Sequence, residues 1–164
     1  MKKPVPVRGL EIKHPYAMAV AMGEKTVELK SNYTPFRGVV IIRAAREFDR
    51  RFVRQFASAV GEPDLAERCS QTAGHVIGIA WLDDCRPARK SDEAPALMKV
   101  PPEYYAWVLK GAVEFQGTMP FKSGEGLFKL APQEEAVFRK VGYWLMIESL
   151  NNEYNLEAKD TWED

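Results

Sequence analysis

The sequence predicts an α+β domain, a small mixed β-barrel with short helices inserted and a helical extension towards its C-terminal end. Three observations carry this. In "GVVIIRAA" (38–45), Val39, Val40, Ile41 and Ile42 form a continuous apolar run after Gly38, as in a strand buried on both faces. "GHVIGIAWLDDC" (74–85) is a second core strand, with Val76, Ile77, Ile79 and Leu82 carrying the burial. The helical patterns around these runs are few and unequal, unlike the regular strand–helix alternation of a doubly wound sheet.

The elements follow in order. "VRGLEIK" reads as a first strand and "HPYAMAVAMG" as a short helix, with Pro15 in its first turn and Gly23 at its stop. "MGEKTVELKS" (22–31) is a second strand entered through a tight turn. "EFDRRFVRQFASAVGE" is helical, with Phe48, Phe52 and Phe56 recurring every four residues on one face. "DLAERCSQ" continues as a second helical piece, and "RPARKSDEAP" is a polar loop. "EYYAWVLKGAVEF" is extended, with a bend at Gly111. "GTMPFKSGEGLFKL" is turns leading into a short strand, and "PQEEAVFRKVG" is a helix between Pro132 and Gly142. The remainder, from Tyr143, reads as one more helix fading into an acidic tail.

Length and composition narrow the class. A chain of 164 residues suits one domain with one well-buried core. Lys+Arg and Asp+Glu both number 23, so net charge points to no partner and only local charge is informative. Two cysteines, Cys69 and Cys85, make neither a disulfide framework nor a metal-type spacing. Reduced thiols in a cytoplasmic protein are expected, with no cofactor and no metal. No run approaches the ~20 apolar residues of a membrane span, so no membrane partner is expected.

Several chemistries lack their signatures. "SGEG" (123–126) has neither the Lys-Ser/Thr ending nor the preceding strand of a phosphate loop, and there is no Gly-x-Ser-x-Gly elbow. Only His14 and His75 are available for a Ser-His-Asp or Cys-His site, and no local pattern supports either. His75 beside a strand start reads as structural.

The strand at 22–31 is rich in charge. Alternation puts Thr26, Glu28 and Lys30 on one face and sends Val27 and Leu29 into the core. Pattern alone leaves two readings: a solvated face with a weak Glu28–Lys30 pair, or a ligand-facing wall. Arg46, Arg50 and Arg54, with Arg43 and Arg51 nearby, form the only basic concentration. It reads either as a solvated helix face diluted by Glu47 and Asp49 or as a phosphate contact suited to arginine's planar fork. Tyr16, Tyr33, Tyr104, Tyr105 and Trp107 are able to stack bases or to fill core. Of Asp83 and Asp84, at most one looks into any site, because neighbours on a strand face opposite ways.

Taken in order, these stretches resemble the ASCH family, the activating-signal-cointegrator homology domains of the PUA-like superfold. His14-Pro15-Tyr16-Ala17, then Gly23-x-Lys25-x-x-Glu28-x-Lys30, then Arg37-Gly38 before "VVIIRAA" match its successive motifs. "GHVIGIAWLDDC", "YYAWVLKGAVEF" and "MPFKSGEGLFKL" continue the likeness, which spans roughly residues 8 to 130. It divides the chain into a PUA-like domain, 1–131, and a C-terminal helical extension, 132–164.

The resemblance implies a small β-barrel with a cleft beside the first helix, binding RNA or a modified nucleotide. It implies that Lys25, Glu28 and Lys30 line the cleft, that Tyr16 and His14 stand at its edge, and that Arg43 joins the RNA-binding set. Some members of the family are ribonucleases, and a bacterial branch deacetylates acetylcytidine through a threonine where this chain has Glu28. The only nearby hydroxyl, Thr26, is displaced from that position, which argues against the same acyl-enzyme route. Lys30 also replaces the usual arginine. The alternative function is a metal-independent ribonuclease or nucleoside hydrolase using Lys25 and Glu28. A third reading makes the C-terminal segment a protein-contact surface, with the acidic tail able to dock on the arginine stripe.

Overall fold

A computed structural model describes residues 4–122 and 124–155. Six strands form one sheet in the order β2-β5-β4-β3-β1-β6, curled into a half-barrel. The strands are β1 (Val7–Ile12), β2 (Val27–Lys30), β3 (Gly38–Ala44), β4 (His75–Pro87), β5 (Tyr105–Pro120) and β6 (Leu127–Phe128). The helices are α1 (Tyr16–Ala21), α2 (Arg50–Val60), α3 (Leu65–Thr72), α4 (Glu93–Ala96), α5 (Pro132–Lys140) and α6 (Tyr143–Tyr154). Only β1 and β3 run parallel; the other pairs are antiparallel. The fold is mixed α+β, as the sequence predicts.

The sheet carries a core on each face because β3 is buried along its whole length. Leu10, Val40, Ile42, Ile77, Leu82 and Trp107 face α1, α2 and α3. Val39, Ile41, Val76, Ile79 and Trp81 face the opposite way, onto Phe138, Trp144 and Ile147 of α5 and α6. Gly9 is required where β1 meets β6: a Cβ there would lie 2.0 Å from the ring of Phe128. Gly111, at φ +63°, bends β5 where Leu150 and Tyr154 of α6 press against it.

Several element boundaries differ from the sequence reading. Helix α2 starts at Arg50 because Asp49 is extended and its side chain accepts from the Phe52 N–H at 3.1 Å. Phe48 and Arg46 therefore precede the helix. Pro15 lies before the first turn of α1 rather than in it. The polar stretch after β4 contains a single 3₁₀ turn (Lys90–Asp92) and α4. Strand β5 does not end at Phe115 but runs on to Pro120, opposite His75. His75 is held by Thr118, Nδ1 to Oγ1 at 2.9 Å. Glu157, Asp160, Glu163 and Asp164 of the acidic tail lie outside the described residues.

Candidate nucleic-acid interface

Strand β2 pairs with the start of β5, placing Glu28 opposite Trp107 and Lys30 opposite Tyr105. These side chains share the face that carries α1. Val27 and Leu29 are buried on the other side, but not in the main core. They pack in a satellite cluster with Ala96 of α4, Ala106, Met98 and Tyr104. So α4 covers the back of β2, and α1 stands before its front.

Lys25 is enclosed by the protein rather than open to solvent. Its side chain is 0% exposed. The ammonium donates to the Ala96 carbonyl, lies 3.7 Å from Glu28 Oε1, and sits 4.6 Å from the centre of the Tyr16 ring. Glu28 is also buried and accepts from the Leu29 N–H at 3.1 Å. Burial pushes the Lys25 pKa down, and the Glu28 charge only partly opposes this. The Tyr16 hydroxyl is pushed up, first by burial and then by Glu28.

Tyr16 is half-buried and bridges two elements, its ring 5.9 Å from Phe52 and 5.8 Å from Phe56 of α2. Lys30 is half-buried, with Nζ 5.7 Å from the Trp107 ring centre. Trp107 is fully buried and donates Nε1–H to the Asn32 carbonyl at 3.0 Å. Tyr33, 53% exposed, meets Tyr105 edge-on at 5.8 Å. The cluster therefore joins one buried ion pair to half-buried and exposed aromatic rings and one accessible lysine.

The other expected site residues lie elsewhere. His14 is buried beside Phe48, its Nε2 2.9 Å from Thr72 Oγ1 of α3. Burial lowers its pKa to about 4. Arg43 is on the opposite sheet face, in register with Glu11, where it binds that carboxylate and donates Nε–H to the Phe121 carbonyl at 2.9 Å. Alternation along β3 puts it there: Ile42 and Ala44 face α1, so Arg43 cannot. Thr26 is exposed and lines a pocket of about 380 Å³ that also touches Lys25, together with Gly23, Lys110 and Tyr154. Asp83 and Asp84 diverge as alternation requires, the first to Lys110 at 3.1 Å and the second to Arg37 at 3.6 Å.

The sequence reading missed the loop that closes the back of the cluster. Asp92 is buried and binds Arg86 through two hydrogen bonds of 2.8 Å, while accepting the Arg89 N–H at 2.7 Å. These bonds fix the turn that presents Ala96 to Lys25. No local pattern pairs Arg86 with Asp92, six residues apart across a strand end and a turn.

The curled half-barrel sheet with its inserted helices is a PUA-like fold. The ASCH domain family model matches residues 10–119, and the chain belongs to that family, which is associated with RNA binding. The fold is similar to the crystal structure of ASCH from Zymomonas mobilis, at 16% identity and TM-score 0.54, covering 82% of this chain and 94% of that one. A serine-to-alanine mutant of the Zymomonas mobilis protein gives 13% identity and TM-score 0.53 over 83% and 96% of the two chains. A tyrosine-to-phenylalanine mutant gives 14% and 0.54 over 82% and 97%. Comparison with curated protein sequences finds no significant match. Among the described residues no helix is long and apolar enough to cross a membrane.

Proposed function

We propose that the cluster between α1 and β2 binds RNA or a modified nucleotide. The observation that carries this is the buried Lys25–Glu28 pair beneath Tyr16. A buried ion pair adds little net stability over apolar packing, and strongly perturbed ionisable groups concentrate at functional sites. In this reading Lys25 does not touch phosphate. It holds Glu28 and Tyr16 in place, Tyr16 and Tyr33 offer stacking surfaces, Lys30 meets phosphate, and Glu28 accepts from a base edge. His14 and Arg43 serve structure rather than ligand. The ligand site belongs to residues 1–131, and the segment 132–164 is an extension whose helices α5 and α6 cover the other sheet face.

The test is titration of a labelled single-stranded RNA of about ten nucleotides, within the span such proteins cover. Tyr16→Ala is expected to weaken binding about tenfold through lost stacking. Lys30→Ala is expected to flatten the salt dependence by about 0.7 in logarithmic slope. Wild-type affinity and slope in both variants would falsify the assignment.

One observation favours a second, enzymatic reading: the Lys25 ammonium is disfavoured by burial next to a carboxylate. Such a pair is able to move a proton at a scissile bond without a metal, as a ribonuclease or nucleoside hydrolase requires. Incubation with mixed RNA and acylated nucleosides is expected to give turnover that Glu28→Gln abolishes. No product at high enzyme concentration removes this reading.

A further inference from the structure

We propose that the groove between α2 and α3 is a phosphodiester-binding subsite for single-stranded RNA, reached from the cleft by crossing α2. This rests on the reading of the cleft as an RNA site. The groove has a volume of about 160 Å³, and its polar lining comes from Arg50, Arg54, Glu67 and Ser70. Arg50 is exposed, lies 5.1 Å from the Phe48 ring centre and donates to Ser70 Oγ at 3.0 Å. A guanidinium backed by an aromatic ring and a hydroxyl, with its remaining donors turned to solvent, suits a phosphate oxygen pair.

Charge pairing divides the described arginines, and Arg8, Arg46 and Arg89, like the three on α2, lack a paired carboxylate. Arg37, Arg43, Arg68, Arg86 and Arg139 each hold a carboxylate. Among the described residues, Arg50, Arg51 and Arg54 form no such ion pair, and all three are exposed. Glu47 and Asp49 precede the ridge, and Glu67 lines the groove itself. Asp49 caps the Phe52 N–H, and Glu67 accepts from Gln71 at 3.3 Å. The three guanidiniums thus lack a directly paired carboxylate among the described residues, while the acids beside them keep their own charge.

Helix geometry connects the ridge to the cleft. Val53 and Ala57 are the buried residues of α2. Phe52 and Phe56 flank them on one side, against Tyr16, and Phe52 is 38% exposed. Arg50 and Arg54, one turn apart, flank them on the other side. Arg51 lies between the two flanks on the solvent side. A strand whose base stacks at Tyr16 meets Arg51 as it passes over α2 and Arg50 with Arg54 beyond it. The ligand so defined is a polynucleotide rather than a free nucleoside.

The experiment compares four proteins with the same decamer RNA over a salt series: wild type, Arg50→Ala/Arg54→Ala, Tyr16→Ala, and Lys122→Ala/Lys140→Ala. The last removes the same charge from exposed positions away from α2. The arginine variant is expected to bind about tenfold more weakly, with the salt slope reduced by about 0.7 for each phosphate it no longer neutralises. The lysine variant is expected to change affinity less than about twofold. Both arginines are exposed, so an unchanged thermal melt accompanies the weaker binding. Equal affinities of the arginine and lysine variants, with Tyr16→Ala weakened, overturn the subsite and leave the cleft. Weaker binding by the arginine variant with none by Tyr16→Ala keeps the groove as a phosphate site and overturns the cleft reading. No binding by wild type overturns both.

Discussion

The ammonium of Lys25 donates to the backbone carbonyl of Ala96, 71 residues further along the chain. The turn that enters β2 is thereby tied to the loop between β4 and β5, and that loop is itself pinned by Asp92 to Arg86. Lys25→Ala is expected to destabilise the protein by about 3 kcal/mol, since it leaves Glu28 as an unpaired buried charge. Combining Lys25→Met with Glu28→Gln is expected to recover most of that stability, as neutral groups tolerate burial better. Urea unfolding of the three proteins checks both, and equal stability of wild type and Lys25→Ala would contradict the burial argument.

Asp92→Ala removes two charge-assisted hydrogen bonds and a bond to the backbone at once. It is expected to cost about 2 kcal/mol. The same change is expected to raise the Lys25 pKa towards its ordinary value, because a loosened α4 admits water. Nuclear magnetic resonance titration of the lysine ammonium reads this directly, and an unchanged pKa would mean that the loop holds without Asp92.

His14 makes stability depend on pH. Its folded-state pKa, about 4, lies below the ordinary 6.5. Between these values the unfolded chain takes up a proton that the folded chain refuses, so stability falls as pH drops from 6.5 to about 4 and then levels. The full depression is worth about 3 kcal/mol. Asp92, held down to about 2 by Arg86, loses its contribution only below its ordinary 3.8, outside that window. Melting temperatures at pH 7, 5.5 and 4.5 are expected to fall in wild type and to fall less in His14→Gln. Parallel curves would remove His14 as the cause.

Tyr154, near the end of α6, stacks on Trp81 with ring centres 6.1 Å apart and presses on the Gly111 bend. Tyr154→Ala is expected to cost about 2 kcal/mol in denaturant unfolding. Asn151 is buried as well. A truncation meant to probe the acidic tail therefore has to begin beyond Asn155; one that starts at Asn151 cuts into packed structure.

The strand from Val39 to Ile42 is legible in sequence because both its faces are buried, and a continuous apolar run has few other uses. The family motifs bring Tyr16, Lys25, Glu28 and Lys30 into one neighbourhood for a related reason: they are close in sequence and share a strand and its entry turn. What covers them is not legible. Alternation assigns Glu28 to a face, but α1 in front and Ala96 behind decide that the face is dry. Those partners come from segments whose packing no local pattern encodes. Arg43 lies apart from these residues by the same geometry, since one step along β3 moves a side chain to the other core.

The sheet ends on its two shortest strands, β2 with four residues and β6 with two. Long, flat edges invite pairing with other chains, whereas short ones bearing lysine discourage it. The central strands, the most apolar and the best templates for aggregation, have neighbours on both sides. This architecture favours a chain that stays dispersed when concentrated, even with no net charge to keep its copies apart.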